Sequence, residues 1–237
     1  MSDPTPSGPR PPHGRPIRSF VLREGRLTAA QRRAFGELWS RFGADWQPGT
    51  LLDLPALFGR AAPVYLEIGF GNGETLAQLA EANPDCNYLG LEVHRPGIGH
   101  LLLELERRGI TNVRVLRQDA QVVLRDGLAP GCLQGILLFF PDPWPKTRHH
   151  KRRIVQPEFI DSLARALAPG GLFHAATDWE PYAEHMLALL EAAGDRFQNS
   201  AGPEQFAPRP EQRPPTRFER RGERLGHRVR DLIYIRR

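Results

Sequence analysis

Val64-Tyr65-Leu66-Glu67-Ile68-Gly69-Phe70-Gly71-Asn72-Gly73-Glu74 is the stretch on which the fold turns. A short apolar run ends in three closely spaced glycines, and a helical pattern follows over 74–82. Glycines at a strand-to-helix turn let the backbone approach a ligand where a side chain would stand in the way. Toward the C-terminus the same unit recurs. Candidate strands at 87–92, 112–117, 134–140 and 171–177 alternate with candidate helices near 96–108, 119–126, 157–168 and 181–193. Unalternating apolar strands between helices predict a parallel sheet covered on both faces. Segments 197–200 and 232–235 are read as a closing pair of strands, with a Pro/Arg-rich loop between them. The expected fold is therefore α/β, a doubly wound, mostly parallel seven-stranded sheet. Toward the N-terminus, Thr28 is placed to cap a helix carrying Phe35, Leu38, Trp39 and Phe42 before Gly43, and a Pro-punctuated link follows through Pro48 and Pro55. Residues 1–14 are too rich in Pro and polar residues to bury a core and are expected to be disordered. The chain divides accordingly into a tail (1–14), a basic arm and helix (15–60) and the α/β domain (61–237).

The 237 residues suffice for one ordinary domain. No apolar run approaches the roughly 18 residues that cross a bilayer, and the N-terminus has no signal-peptide core. A soluble, cytoplasmic protein with no membrane association is expected. Cys86 and Cys132 have neither metal-ligand nor redox spacing; both are read as small buried apolar residues, and no metal site is expected. The net charge is +5, but three segments are far more basic than that: 1–33 and 146–153 each carry +5 and 209–237 carries +6, so the remainder nets −11. Charge segregated on this scale points to a polyanionic partner.

The glycine spacing is G-x-G-x-G, not the G-x-G-x-x-G that seats a pyrophosphate. Glu92 stands 19 residues beyond Gly73, at the end of the second strand, where an acid can accept from ribose hydroxyls. Asp119, after the third strand, can accept from an adenine amino group. Glu67, just ahead of Gly69, Gly71 and Gly73, suits an ammonium, held directly or through water. These features fit S-adenosylmethionine, which has no phosphate, better than a nicotinamide dinucleotide. Each acid alone has a plain alternative as a solvated strand-end carboxylate; three on one edge of one sheet argue against it.

The fourth strand ends at Pro141-Asp142-Pro143-Trp144-Pro145-Lys146, a loop stiffened by three prolines, and then comes Thr147-Arg148-His149-His150-Lys151-Arg152-Arg153. A charge run usually decorates a solvated face. Beside a rigid acid-and-aromatic loop it suits a looped-out base and its phosphates, so Arg148, His149, His150, Lys151, Arg152 and Arg153 are candidate RNA contacts. His174 and His185 are read as structural.

In these segments the chain resembles the bacterial tRNA (guanine-N7)-methyltransferase family. The likeness is carried by Arg18-Ser19-Phe20-Val21, the glycine loop, Gly90-Leu91-Glu92-Val93-His94-Arg95-Pro96-Gly97, the block from Phe140 to Arg153, Thr216-Arg217-Phe218-Glu219 and Arg221-Gly222. The glycine loop alone is weak evidence; the proline-tryptophan-basic block is specific. Arg217, where Lys is expected, and the long Pro-rich tail depart from the pattern. The resemblance implies a Rossmann-like class I fold and methyl transfer from S-adenosylmethionine to guanine N7 in tRNA, at position 46 in the variable loop, forming 7-methylguanosine. It also implies that Glu67, Glu92, Asp119 and Asp142 line the cofactor pocket, that Lys146, Asp178, Thr216, Arg217, Phe218 and Glu219 contact the substrate, and that 146–153 and 209–230 bind tRNA. No obligate protein partner is expected.

Guanine N7 has an in-plane lone pair and no proton, so its methylation needs no general base. Asp142 is expected to orient the reactants and stabilise developing positive charge. A forked Arg on O6 and N7 would cover the nucleophile, so readout falls to the N1–H and N2–H edge, with Asp178 and Glu219 as candidate acceptors. Their plain alternatives are a helix cap for Asp178 and an ion pair with a nearby Arg for Glu219. Amino-group methylation of adenine or cytosine, a non-catalytic RNA-binding subunit and a nicotinamide oxidoreductase stay open as other readings; the last leaves the basic segments unexplained.

Overall fold

The computed structural model describes residues 18–21, 25–216, 219, 220, 222, 226 and 228–237. The tail expected over 1–14, and Arg217 and Phe218, lie outside them. Thr28 caps α1 (Ala29–Glu37) through a reciprocal pair: its hydroxyl accepts from Gln31 N–H and the Gln31 side chain accepts from Thr28 N–H. After α2 (Trp39–Phe42) and α3 (Leu54–Phe58) the strand–helix units begin. They comprise β1 (Val64–Ile68), α4 (Glu74–Ala82), β2 (Asn87–Leu91), α5 (Arg95–Arg108), β3 (Val113–Leu116), α6 (Ala120–Val122), β4 (Leu133–Phe139), α7 (Pro157–Ala166), β5 (Leu167–Thr177), α8 (Glu180–Glu191), β6 (Phe197–Asn199) and β7 (Arg230–Arg236).

The seven strands form one sheet in the order β3-β2-β1-β4-β5-β7-β6. β1 to β5 run parallel; the expected closing pair is present as β6 and β7, and β7 is antiparallel to both of its neighbours. The strand order reverses at β1, which pairs with β2 through Leu66↔Leu89 and with β4 through Leu66↔Ile136. Adjacent strand residues enter opposite layers: Leu89 and Leu116 join the core that holds Leu163 and Phe173, while Tyr88 and Val115 join the core that holds Leu76 and Leu101. Both faces are thus buried, which is why the strands read as continuous apolar runs. Ala34 of α1, Phe42 of α2 and Leu38 between them join the second core.

Three expectations need correcting. The helix expected over 119–126 is a single α-turn running into a π-helical turn, Val123–Gly127. α7 ends at Ala166 because Leu167 already belongs to β5, which pairs Leu133↔Leu167 before a register shift to Gly135↔Leu172. Cys86 and Cys132 are free but only partly buried, Cys132 packing at the margin of the larger core.

One close approach fixes the glycine loop. A Cβ on Gly97, in the first turn of α5, would stand 2.0 Å from the Gly71 carbonyl oxygen. Backbone cannot yield as a flexible side-chain end can, so Gly97→Ala is expected to cost about 1–3 kcal/mol, a fall of roughly 2–12 °C in thermal midpoint. An unchanged midpoint would contradict this packing.

Candidate active site

The carboxyl ends of the parallel strands open at one sheet edge, where ligands bind in such folds. Gly69 and Gly71 there have φ of 68° and 60°, in the region that only glycine enters freely. A Cβ on either would meet no protein atom within 4 Å, so the loop faces open space. Two cavities adjoin at Gly69, Phe139 and Phe140. One, of about 220 Å³, is lined by Leu91, Glu92, Gln118, Asp142, Ser19 and Phe20 among others. The second, of about 540 Å³, is bounded by Glu67, Gly71, Asn72, His94, His100 and Thr216.

The acids are arranged unequally. Glu67 is 2% exposed, and its Oε2 has no hydrogen-bond partner among the described residues. Desolvation, and then the neighbouring charge of Glu92, push its carboxyl up to about 8. Glu92 ties the edge together: Oε2 accepts from Gly71 N–H at 3.0 Å, and Oε1 from Val93 N–H at 2.7 Å and His94 N–H at 2.9 Å. A carboxylate has about four acceptor positions. This arrangement leaves one, on Oε2, so Glu92 can take one further hydroxyl without surrendering a backbone bond. Asp119 caps α6 by accepting from Gln121 N–H at 3.0 Å. Burial raises its pKa, opposed by that bond and by the charges of Arg18 and Arg125. Its neighbours Gln118 and Ala120 line the smaller cavity; Asp142 lines it too and is solvent-exposed.

Phe140 and Trp144, two residues on either side of Asp142, have φ of 53° and 44°. Such conformations cost about 1–3 kcal/mol each in non-glycine residues and persist only where their surroundings dictate them. Here Phe140 N–H donates to the Ala176 carbonyl at 2.7 Å. Trp144 Nε1–H donates to the Ser19 carbonyl at 3.1 Å, and its ring is faced by Arg152 at 4.4 Å and met edge-on by His149. Arg153 lies beneath, 3% exposed, donating to the Pro143 carbonyl at 3.0 Å and stacked over Tyr182. Its expected role as an RNA contact is therefore corrected: it holds the loop. His150 is half-buried, with Nε2 3.2 Å from Arg153. Lys146, Arg148 and Lys151 are exposed. Desolvation and the cations Arg148, Arg152, Lys146 and Lys151 lower the pKa of His149.

Thr216 reaches the larger cavity, and Glu219 does not share that position. Glu219 is 1% exposed, receives two bonds from Arg213 at 2.8 and 2.7 Å, and caps back to Thr216 N–H at 3.2 Å while Thr216 Oγ1 accepts from Glu219 N–H at 3.0 Å. Arg213 continues to Asp231 at 2.8 Å, and Asp231 to His174 at 2.7 Å, so His174 is structural as expected. The ion-pair alternative for Glu219 is what the structure contains, and its carboxylate is not open to a base. Asp178 is half-buried just after β5, and the cap position of α8 belongs to Trp179. Sequence reasoning missed Ser19 and Phe20 as cavity residues. Only the quoted Arg18-Ser19-Phe20-Val21 block marked them, without a role.

An unpartnered buried carboxylate oxygen beside an open glycine loop fits the ammonium-bearing end of S-adenosylmethionine. Glu67 also makes folding pH-dependent when no ligand is present. With its pKa raised from the ordinary 4.5 to about 8, the folded state retains a proton that the unfolded chain releases. Its stabilisation is complete below about pH 4.5 and is lost as pH rises through about 8. Glu67→Gln, neutral throughout, should gain stability over the parent between about pH 5 and about pH 9 in ligand-free thermal melts. A difference that stays flat across that range would contradict the assignment.

A family model described as "Putative methyltransferase" matches residues 61–232. The tRNA (guanine-N(7)-)-methyltransferase of Alkalilimnicola ehrlichii is 60% identical over 224 residues, 94% of either chain. That of Halorhodospira halophila is 56% identical over 220 residues, 93% of this chain and 95% of the relative. Among solved structures, the 16S rRNA methyltransferase KamB superposes with a TM-score of 0.56 at 17% identity, covering 82% of this chain and 97% of that one. The aminoglycoside resistance methyltransferase NpmB1 gives 0.53 at 16%, covering 81% and 95%. At such identities these two speak for the fold alone, the Rossmann-like fold of class I methyltransferases. Sequence identity above half, sustained over nearly the whole chain, places it in the family: the chain belongs to the S-adenosylmethionine-dependent tRNA (guanine-N7)-methyltransferases.

Proposed function

We propose that the chain methylates N7 of a guanine in tRNA, at position 46 in the variable loop, to give 7-methylguanosine. The observation that carries this reading is the loop from Phe140 to Trp144. It is held in a strained backbone conformation, presents Asp142 to the cavity and passes directly into a basic turn, Thr147–Arg152, whose Arg148 and Lys151 are exposed. S-adenosylmethionine, when bound, supplies an electrophilic methyl group on a sulfonium. We assign Glu67, Gly69, Gly71, Gly73, Glu92 and Asp119 to hold it; of these Glu67, Gly69, Gly71 and Glu92 line the two cavities, and Ser19 and Phe20 close the smaller one from the arm.

N7 attacks as a free lone pair, so no residue has to remove a proton. Asp142 positions the reacting groups and offsets the positive charge that grows on the purine. With Glu219 bound by Arg213, readout of the N1–H and N2–H edge falls to Asp178. Thr216 borders the larger cavity, held there by its reciprocal caps with Glu219. The tRNA backbone is held by the exposed cations Lys146, Arg148 and Lys151, with His149, Arg152 and the basic segment 209–230. Among the described residues no helix is long and apolar enough to cross a membrane.

The test is to incubate the purified chain with labelled S-adenosylmethionine and unmodified tRNA and to map the label. Methyl groups should appear on N7 of one variable-loop guanosine; label on an exocyclic amine or on a guanosine elsewhere would sink the assignment. Asp142→Asn should lower kcat by about 100- to 1000-fold, the range for lost transition-state electrostatics, without creating a new ionisation in the pH–rate profile. Full activity in that variant would remove Asp142 from the chemistry.

A further inference from the structure

The aromatic ring that the sequence offers to a looped-out base, Trp144, is already engaged. Arg152 faces it at 4.4 Å, His149 meets it edge-on, and its Nε1–H is bound to the Ser19 carbonyl. Among the described residues the exposed large apolar side chains are Val21, Leu51 and Trp179, and of these only Trp179 is aromatic. Trp179 stands at the carboxyl edge, two residues beyond the end of β5. Its surroundings place it beside Asp142. β4 and β5 pair Phe139↔Ala176, so Asp142 and Trp179 each stand three residues past one cross-strand pair, on chains leaving strands that lie about 4.8 Å apart. Two ties hold those chains together on either side of Trp179. Phe140 N–H donates to the Ala176 carbonyl at 2.7 Å, and Arg153 donates both to the Pro143 carbonyl at 3.0 Å and to the Pro181 carbonyl at 3.5 Å.

The backbone of Trp179 is fixed while the residue is 38% exposed. Its N–H donates to Thr177 Oγ1 at 3.2 Å, and its carbonyl accepts from Tyr182 N–H and Ala183 N–H at 3.0 Å each. It occupies the N-cap of α8 without a side-chain cap bond, at a position where Ser, Thr, Asp or Asn would stabilise the helix. Local stability therefore does not account for an indole there. Trp179 lines neither of the cavities assigned to the methyl donor, which leaves its ring to the acceptor. A looped-out base stacks on a flat aromatic partner. Methylation at N7 also puts a positive charge on the purine, which the negative face of an indole attracts. Resting on the N7 reading, we propose that Trp179 is the platform on which the target guanine stacks, and that this contact tightens as charge develops in the transition state.

Trp179→Leu and Trp179→Phe separate a π face from apolar bulk, and an exposed position accommodates either side chain. In the full chain, Trp179→Leu should lower kcat/KM for unmodified tRNA by about 5- to 150-fold, the effect of losing one base stack, with part of the loss in kcat. Trp179→Phe should recover most of it. Calorimetric binding of S-adenosylhomocysteine should stay within about twofold of the parent in both variants, because the ring lies outside the donor cavities. Parental kcat/KM in Trp179→Leu would overturn the platform. So would equal losses in the two variants, or a loss of S-adenosylhomocysteine binding as large as the loss of activity. Mapping the methyl group made by the parent keeps this proposal apart from the reading beneath it. Label on N7 with Trp179→Leu at full rate removes the platform alone; label on an exocyclic amine removes the N7 reading and the platform with it.

Discussion

β1 is hydrogen-bonded to β2 on one side and to β4 on the other, and the rest of the molecule is arranged around that pairing. Because the order turns around at β1, the chain leaving β1 and the chain leaving β4 diverge, and a crevice opens between them at the carboxyl edge. The glycine loop stands on one wall of that crevice and the Pro141–Lys146 loop on the other. Central placement has a cost as well. A residue near the end of β1 is walled in by both neighbouring strands, so Glu67 Oε2 is stripped of water with no hydrogen-bond partner among the described residues. The site begins with that unsatisfied group.

The same edge carries further strain, and each element of it has a support away from the chemistry. The left-handed Phe140 and Trp144 are fixed by the carbonyls of Ala176 and Ser19 and from below by Arg153. Thr216 is brought to the cavity by Glu219, which is gripped by Arg213, itself anchored through Asp231 to His174 on β5. That chain of ion pairs is 1–2% exposed apart from His174 at 4%. Removing one member would therefore leave a buried charge alone, which is far more damaging than the pair's presence is stabilising. Fixed supports of this kind let a methyltransferase rely on alignment, since its nucleophile needs no activation.

What could be read from the sequence divides along physical lines. Strands β1 to β5 were legible because both sheet faces are buried, which writes each strand as an uninterrupted apolar run. The acids at their ends followed from spacing. Roles that depend on contacts between distant segments were not legible. Arg152 and Arg153 are adjacent and chemically identical, yet one faces the Trp144 ring near the surface and the other is sealed under the loop by Tyr182, a residue from α8. Glu219 had two readings, a base-reading carboxylate or the partner of a nearby Arg, and only the fold decides between them by closing Arg213, six residues away, onto it. Ser19 joins the cavity through a bond to Trp144 across 125 positions, which no local pattern encodes. Proline placement marked the rigidity of the loop that carries Asp142, whereas the two left-handed residues on either side of Asp142 are ordinary aromatics that carry no such mark.

The claim on which the others rest is that Glu67 is held uncharged in reserve for a cation. Carboxyl carbon-13 resonances of labelled protein, assigned with Glu67→Gln, report this directly. Without ligand the Glu67 signal should titrate near 8. With saturating S-adenosylhomocysteine its midpoint should fall by about two units or more, since a nearby opposite charge favours the ionised form by that order. A midpoint that is the same with and without ligand would show that the carboxyl meets no cation there.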